Sequence, residues 1–138
     1  MFSTWNQTIT VYSRYVDKQN RAVRWIGKVL HNCFVGKERI RDLNNRDAIL
    51  SEEFVVRIPQ NTDFLASAGP ELLADTDLFT LSPGNIVFLG EVDDEIDDET
   101  DGLRMSDRRS QYGDRCFEIK RFSDNTKVGF LPHYRVEG

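Results

Sequence analysis

Apolar and polar residues alternate with a period of two along much of this chain, the mark of half-buried β-strands. Gln7 to Arg14 sets Ile9, Val11 and Tyr12 among threonines, a β-prone composition. Ala22 to Val35 places Val23, Trp25, Val29, His31 and Cys33 on one face and Arg24, Ile26, Lys28, Leu30, Asn32 and Phe34 on the other. At ~3.3 Å per residue such a strand spans over 40 Å, so it must bend, and Gly27 is the expected bulge or corner. Phe54 to Pro59 aligns Phe54, Val56 and Ile58, whereas Asn85 to Val92 is apolar on both faces, as a central strand is. Arg115 to Phe122 sets Phe117 and Ile119 against Glu118 and Lys120. Lys127 to Val136 puts Val128, Phe130, Tyr134 and Val136 on one side.

Helical signals are few. Ser106 is positioned to cap a short helix through Tyr112, stopped by Gly113. Gly69-Pro70-Glu71-Leu72-Leu73 suits a single turn with Pro70 at its first position. Asn44-Asn45, Ser82-Pro83-Gly84 and Ser123-Asp124-Asn125 read as turns. The pattern predicts a mainly β chain of one domain, residues 1–138: a small β-barrel or sandwich of about six strands, with long loops and one or two short helices. The connection from Gln60 to Ser82 has no strand of its own yet carries Phe64, Leu65, Leu72, Leu73, Leu78, Phe79 and Leu81. Disordered linkers lack such residues. They either tuck back as a lid over the end of the barrel or bury against another subunit.

Charge sharpens the picture once it is located. The formal net charge is −5, but eight acids fall in the eleven residues from Glu91 to Asp101, which leaves 15 acids against 18 bases elsewhere. A mildly basic body thus carries one strongly acidic segment, an unsuitable charge pattern for gripping nucleic acid. No apolar run approaches the ~18 residues that span a bilayer, and Met1-Phe2-Ser3-Thr4-Trp5 has no signal-peptide character. Two widely separated cysteines make no disulfide framework, so a reducing, cytosolic setting is the expectation.

Catalytic constellations are absent from the sequence. His31, Cys33, Cys116 and His133 supply zinc-type ligands, but Cys116 and His133 are out of phase with the apolar faces of their strands, and no Cys-x-x-Cys knuckle is present. His31 and Cys33, two apart on a strand, stand about 7 Å apart, too far for a nucleophile–base pair. The acidic run lacks the spacing of an EF-hand loop. No catalytic residue, metal or cofactor is therefore expected. The acidic residues read as a solvated loop or as an electrostatic surface, which a ring of copies would multiply into a negative collar that repels DNA from a channel wall.

Several motifs, taken in order, carry a resemblance. Thr10-Val11-Tyr12-Ser13-Arg14 and Phe54-Val55-Val56-Arg57-Ile58-Pro59 come first. Ser82-Pro83-Gly84-Asn85-Ile86-Val87 then leads into Gly90-Glu91-Val92-Asp93-Asp94-Glu95-Ile96, and Pro132-His133-Tyr134-Arg135-Val136-Glu137-Gly138 closes the series. Together they resemble the small minor structural proteins of the head–tail modules of tailed bacteriophages and prophages, in particular head-completion or stopper proteins. Asn85, Ser13 and Tyr134 stand where Asp, Asn and Trp are commoner in that family.

The resemblance implies a non-enzymatic β-barrel subunit of a neck ring of roughly six or twelve copies. Its partners would be adaptor and portal proteins above and tail-completion or tail-tube proteins below. It would touch genomic DNA only in transit and no membrane, residing in the virion after assembly in the host cytoplasm. On that reading Glu91, Asp93, Asp94, Glu95, Asp97, Asp98, Glu99 and Asp101 line or rim the lumen, and the apolar residues of 60–82 bind neighbours. The competing expectations are a tail-completion or other virion-assembly protein, an OB-like nucleic-acid-binding barrel with its aromatics as stacking platforms, and a small enzyme with an acidic metal site.

Overall fold

A computed structural model describes residues 5–16, 23–41, 50–66, 76–93, 95–127 and 131–138. Among the described residues the strands are β1 (Gln7–Val16), β2 (Val23–Arg41), β3 (Leu50–Pro59), β4 (Ile86–Leu89), β5 (Cys116–Glu118), β6 (Arg121–Asn125) and β7 (His133–Glu137), with an α-helix, α1 (Met105–Tyr112), and a 3-10 turn, Gly113–Arg115, before β5. All pairings are antiparallel, in a seven-stranded curled sheet of order β5-β4-β1-β2-β3-β7-β6. The mainly β architecture expected from the alternation is the one observed.

The two ends of that order are neighbours in the chain. Between β5 and β6, Ile119 N donates to Asn85 O and Lys120 N to Glu137 O, both at 2.8 Å, so one segment stitches the sheet's two ends together. The segment read as a single strand from Arg115 to Phe122 is therefore two short strands that serve different partners. The strand expected from Asn85 to Val92 shortens to four residues because the chain turns off at Gly90, at φ +122°. Only the end of the Lys127 to Val136 strand forms, as β7; Val128 and Phe130 lie outside the described residues.

The long strand bends elsewhere than at Gly27. Gly27 pairs regularly with Tyr12, and a Cβ there would sit 2.7 Å from Tyr12 Cε1, so the glycine makes room for a ring lying across it. The register breaks instead between Ile9↔Leu30 and Gln7↔Cys33, where Asn32 takes φ +61°. Asparagine tolerates this left-handed conformation better than most residues. The one extra residue resets the alternation: Leu30 and Cys33 both reach the core, while His31, expected beside Cys33, is exposed.

Two apolar clusters result. Inside the curl lie Ile9, Val11, Leu30, Cys33, Val56, Ile58, Phe79, Leu81, Val87, Phe117, Ile119, Tyr134 and Val136. On the opposite face of β1, β4 and β5 lie Tyr12, Ile86, Phe88 and Cys116, covered by Val92, Ile96 and Met105. The consecutive apolar run of β4 thus feeds both clusters. The covering chain is the acidic segment and α1.

The helix begins at Met105, with its cap two residues before the expected cap Ser106. Arg104 occupies the cap position, where the Asp107 carboxylate accepts its N–H at 3.2 Å and that of Gly102 at 3.0 Å. Gly113, at φ +61°, ends the helix as expected. The Ser82–Gly84 turn forms, but Ser123 to Asn125 stays in β6, and the turn follows at Asp124–Lys127, where Asp124 accepts the Thr126 N–H and hydroxyl. Asn44-Asn45 and the Gly69 to Leu73 turn lie outside the described residues. Among the described residues no helix is long and apolar enough to cross a membrane.

Candidate interaction surface

The acidic segment is a built structure. Its start is fastened by Thr10, a fully buried residue of β1, whose hydroxyl donates to Gly90 O at 2.8 Å and accepts from Val92 N at 2.9 Å. Val92 and Ile96, at 4% and 5% exposure, drop into the outer cluster and act as two apolar feet. Between and beyond them the charges diverge in role.

Asp98 faces inward. Its Oδ2 accepts the Trp25 indole N–H and its Oδ1 the Met105 N–H, both at 2.9 Å, so one carboxylate ties β2 to the first turn of α1. An acid at a helix N-terminus is also favoured by the macrodipole. Asp97 closes a turn: it accepts the Glu99 N–H at 3.0 Å and the Thr100 hydroxyl at 2.8 Å, and its backbone bridges to Arg24 of β2. The Glu99 bond first, then the Thr100 bond and the nearby Arg24 charge, hold its carboxyl below the usual aspartate range.

Asp97 and Asp98 therefore have architectural roles within the segment. Glu91, Asp93, Glu95, Glu99 and Asp101 are exposed, Asp101 in an ion pair with Arg104 at 2.8 Å; Asp94 lies outside the described residues. The five exposed acids form a shelf on the outer face of the curl, followed by exposed Arg104 at the helix cap and exposed Arg109 within α1.

The loop from Gln60 to Ser82 divides similarly. Phe64 and Phe79 form an isolated parallel bridge: Leu65 N donates to Phe79 O, and Phe79 N to Asp63 O, each at 2.9 Å. Phe79 and Leu81 are 1% and 2% exposed in the inner cluster, and Phe64 packs on Tyr134 with ring centroids 4.2 Å apart. These three close the curl from within the chain, which corrects the expectation that they bind a neighbour. Leu65 and Leu78 are half-buried; Leu72 and Leu73 lie outside the described residues.

Residues 3–138 match a family of unknown function, DUF6751. The chain belongs to that family. No curated protein and no solved structure matches it. The span shared with DUF6751 takes in the acidic shelf, its Thr10 and Trp25 supports, and the Phe64–Phe79 closure.

The metal-ligand candidates stay apart. Cys33 sits in the inner cluster, where burial pushes its thiol up to about 12, and Cys116 sits in the outer one. His31 meets the Thr8 hydroxyl at 3.1 Å, and His133 lies edge-on to Trp5 at 5.7 Å between centroids. Among the described residues no three His, Cys, Asp or Glu side chains converge.

One polar feature escaped the sequence reading. On the outer side of β2, β3, β6 and β7 a chain of ion pairs runs Glu53–Arg121–Glu137–Arg135–Glu38, with the Arg121–Glu137, Arg135–Glu137 and Arg135–Glu38 contacts at 2.8–2.9 Å. The Glu137 and Glu53 carboxylates hold Arg121 above the ordinary arginine range. The available signal was Arg135-x-Glu137, opposite charges two apart on one strand face.

Proposed function

We propose that this chain is a non-catalytic structural subunit of the head–tail connector of a tailed phage or prophage, at the head-completion or stopper level, that helps retain DNA and pass it to the tail. The observation that carries this reading is the acidic shelf. A solvated acidic loop needs no support, yet here Val92, Ile96, Thr10 and the Trp25–Asp98–Met105 link fix Glu91, Asp93, Glu95 and Glu99 on a rigid base. Fixed carboxylates on a rigid wedge suit a wall past which DNA must move without sticking, because they repel phosphates. The sequence motifs quoted above supply the phage setting.

An OB-like stacking platform fits less well. Trp5, Tyr12 and Phe117 are buried in the chain's own packing, where no base can reach them.

The test is neutralisation of the shelf by Glu→Gln and Asp→Asn at positions 91, 93, 95 and 99 in the phage or prophage that encodes the chain. The variant is expected to fold and to join particles at the wild-type copy number while DNA retention or ejection fails. Fully infectious particles carrying the neutralised variant would overturn the lumen role. Absence of the wild-type protein from mature particles would overturn the connector reading itself.

A further inference from the structure

One end of the curl, where β1 begins, β4 ends and β5 begins, holds a cavity of about 370 Å³. That volume lies near the lower end of the range for small-ligand sites. Its floor is Val35 and Leu89, both half-buried and packed against the inner cluster. One wall is backbone, where Gly90 N donates to Thr8 O at 2.9 Å. The rim is polar and exposed, formed by Asn6, Gln7 and Arg115. Gln7 Nε2 donates to Asn6 Oδ1 at 3.1 Å, and among the described residues the Asn6 side-chain nitrogen meets no acceptor.

Arg115 decides what the cavity can hold. The turn Gly113–Arg115 carries it to the end of β4, where its Nη2 donates to Leu89 O in a long bond of 3.4 Å. Among the described residues no carboxylate pairs with it, whereas Arg104, Arg121 and Arg135 each have one. A guanidinium fork left open beside an apolar floor matches a ligand with one carboxylate on an apolar stem. Glu91 and Asp114, next in sequence to Gly90 and Arg115 and both exposed, make the surroundings negative and disfavour a multivalent anion such as phosphate.

We propose that this cavity binds a carboxylate on a short apolar stem, supplied by a free acid or by a polypeptide chain that ends in an apolar residue. Arg115 grips the carboxylate, the Asn6 amide supports it, and Val35 and Leu89 receive the stem. The site does not depend on the connector reading, and its failure would leave that reading standing.

The experiment follows the backbone amides of the full chain by NMR during titration with N-acetylleucine, with N-acetylated glycine-glycine-leucine, and with the amide-capped form of each. Both acids are expected to move the resonances of Gln7, Leu89 and Gly90, and the capped forms to leave them in place. Arg115→Gln is expected to weaken both acids by about tenfold or more, the loss of a charge-assisted contact, while Arg109→Gln on α1 binds as wild type does. Tighter binding of the tripeptide assigns the site to a chain end, and equal binding assigns it to a free acid. Capped forms that bind as well as the acids, an Arg115→Gln protein that binds as wild type does, phosphate that binds more tightly than either acid, or unmoved resonances at the cavity would each overturn the proposal.

Discussion

Thr10→Val isolates the fastening of the acidic segment. Valine matches threonine in shape, so the cavity is unchanged, but the hydroxyl that donates to Gly90 O and accepts from Val92 N disappears. Each bond contributes about 1 kcal/mol net, and a buried N–H left unpaired costs about 1–3 kcal/mol. The gain from replacing a hydroxyl with a methyl offsets a fraction of that. A destabilisation of about 2–4 kcal/mol follows. With an unfolding entropy of ~2.1 cal/mol/K per residue over 138 residues, this lowers Tm by roughly 7–14 °C. Thermal melts and urea titrations measure it, with Thr8→Val as the control. The Thr8 hydroxyl bonds His31 in solvent, so its loss should stay within about 0.5 kcal/mol. Equal melting of the two variants would refute the claim that Thr10 anchors the segment.

Gly27→Ala should cost about 1–3 kcal/mol, because the new methyl meets a Tyr12 ring held edge-on against Phe88, and urea denaturation reads the loss. Asp98→Ala should cost about 1–3 kcal/mol by stranding the Trp25 and Met105 N–H groups. A double-mutant cycle with Trp25→Phe should show coupling above about 0.5 kcal/mol, and strict additivity would contradict the link. Cys33 is raised in the fold to about 12 and lies near 8.5 when unfolded, so its contribution is fully present below pH ~8.5. Between those values stability should fall by about 1.4 kcal/mol per pH unit, and Cys33→Val should remove that slope, as alkaline denaturation series can check.

The strands were legible because alternation is a local property: β1, β3 and the buried faces of β4 and β7 follow from neighbouring residues alone. The corner of β2 was not. Gly27 has the conformational freedom that suggests a bend, but its freedom is spent on admitting the Tyr12 ring, and the left-handed residue is Asn32 in an unremarkable His-Asn-Cys context. The acidic run showed its charge but hid its architecture, since Thr10 meets Gly90 across 80 positions and Trp25 meets Asp98 across 73. Val92 and Ile96, the apolar residues within the run, were the visible clue that one side of it is buried.

The apolar loop shows how such contacts change the design of an experiment. Deletion of residues 62–79 looks from sequence like the removal of a docking loop, with a folded monomer left behind. Phe79 is 1% exposed in the inner cluster and Phe64 stacks on Tyr134 and Phe122, so the deletion opens the core of the curl. Losing a buried phenylalanine alone costs about 3–5 kcal/mol, a large share of a domain's stability. Failure of that deletion to join particles would therefore report unfolding rather than docking. The informative change is at the half-buried Leu65 and Leu78, whose replacement by serine leaves Phe64, Phe79 and Leu81 in place. If the loop also touches a neighbour, that double variant keeps its melting temperature to within a few degrees and loses incorporation, and it separates the two roles that the deletion confounds.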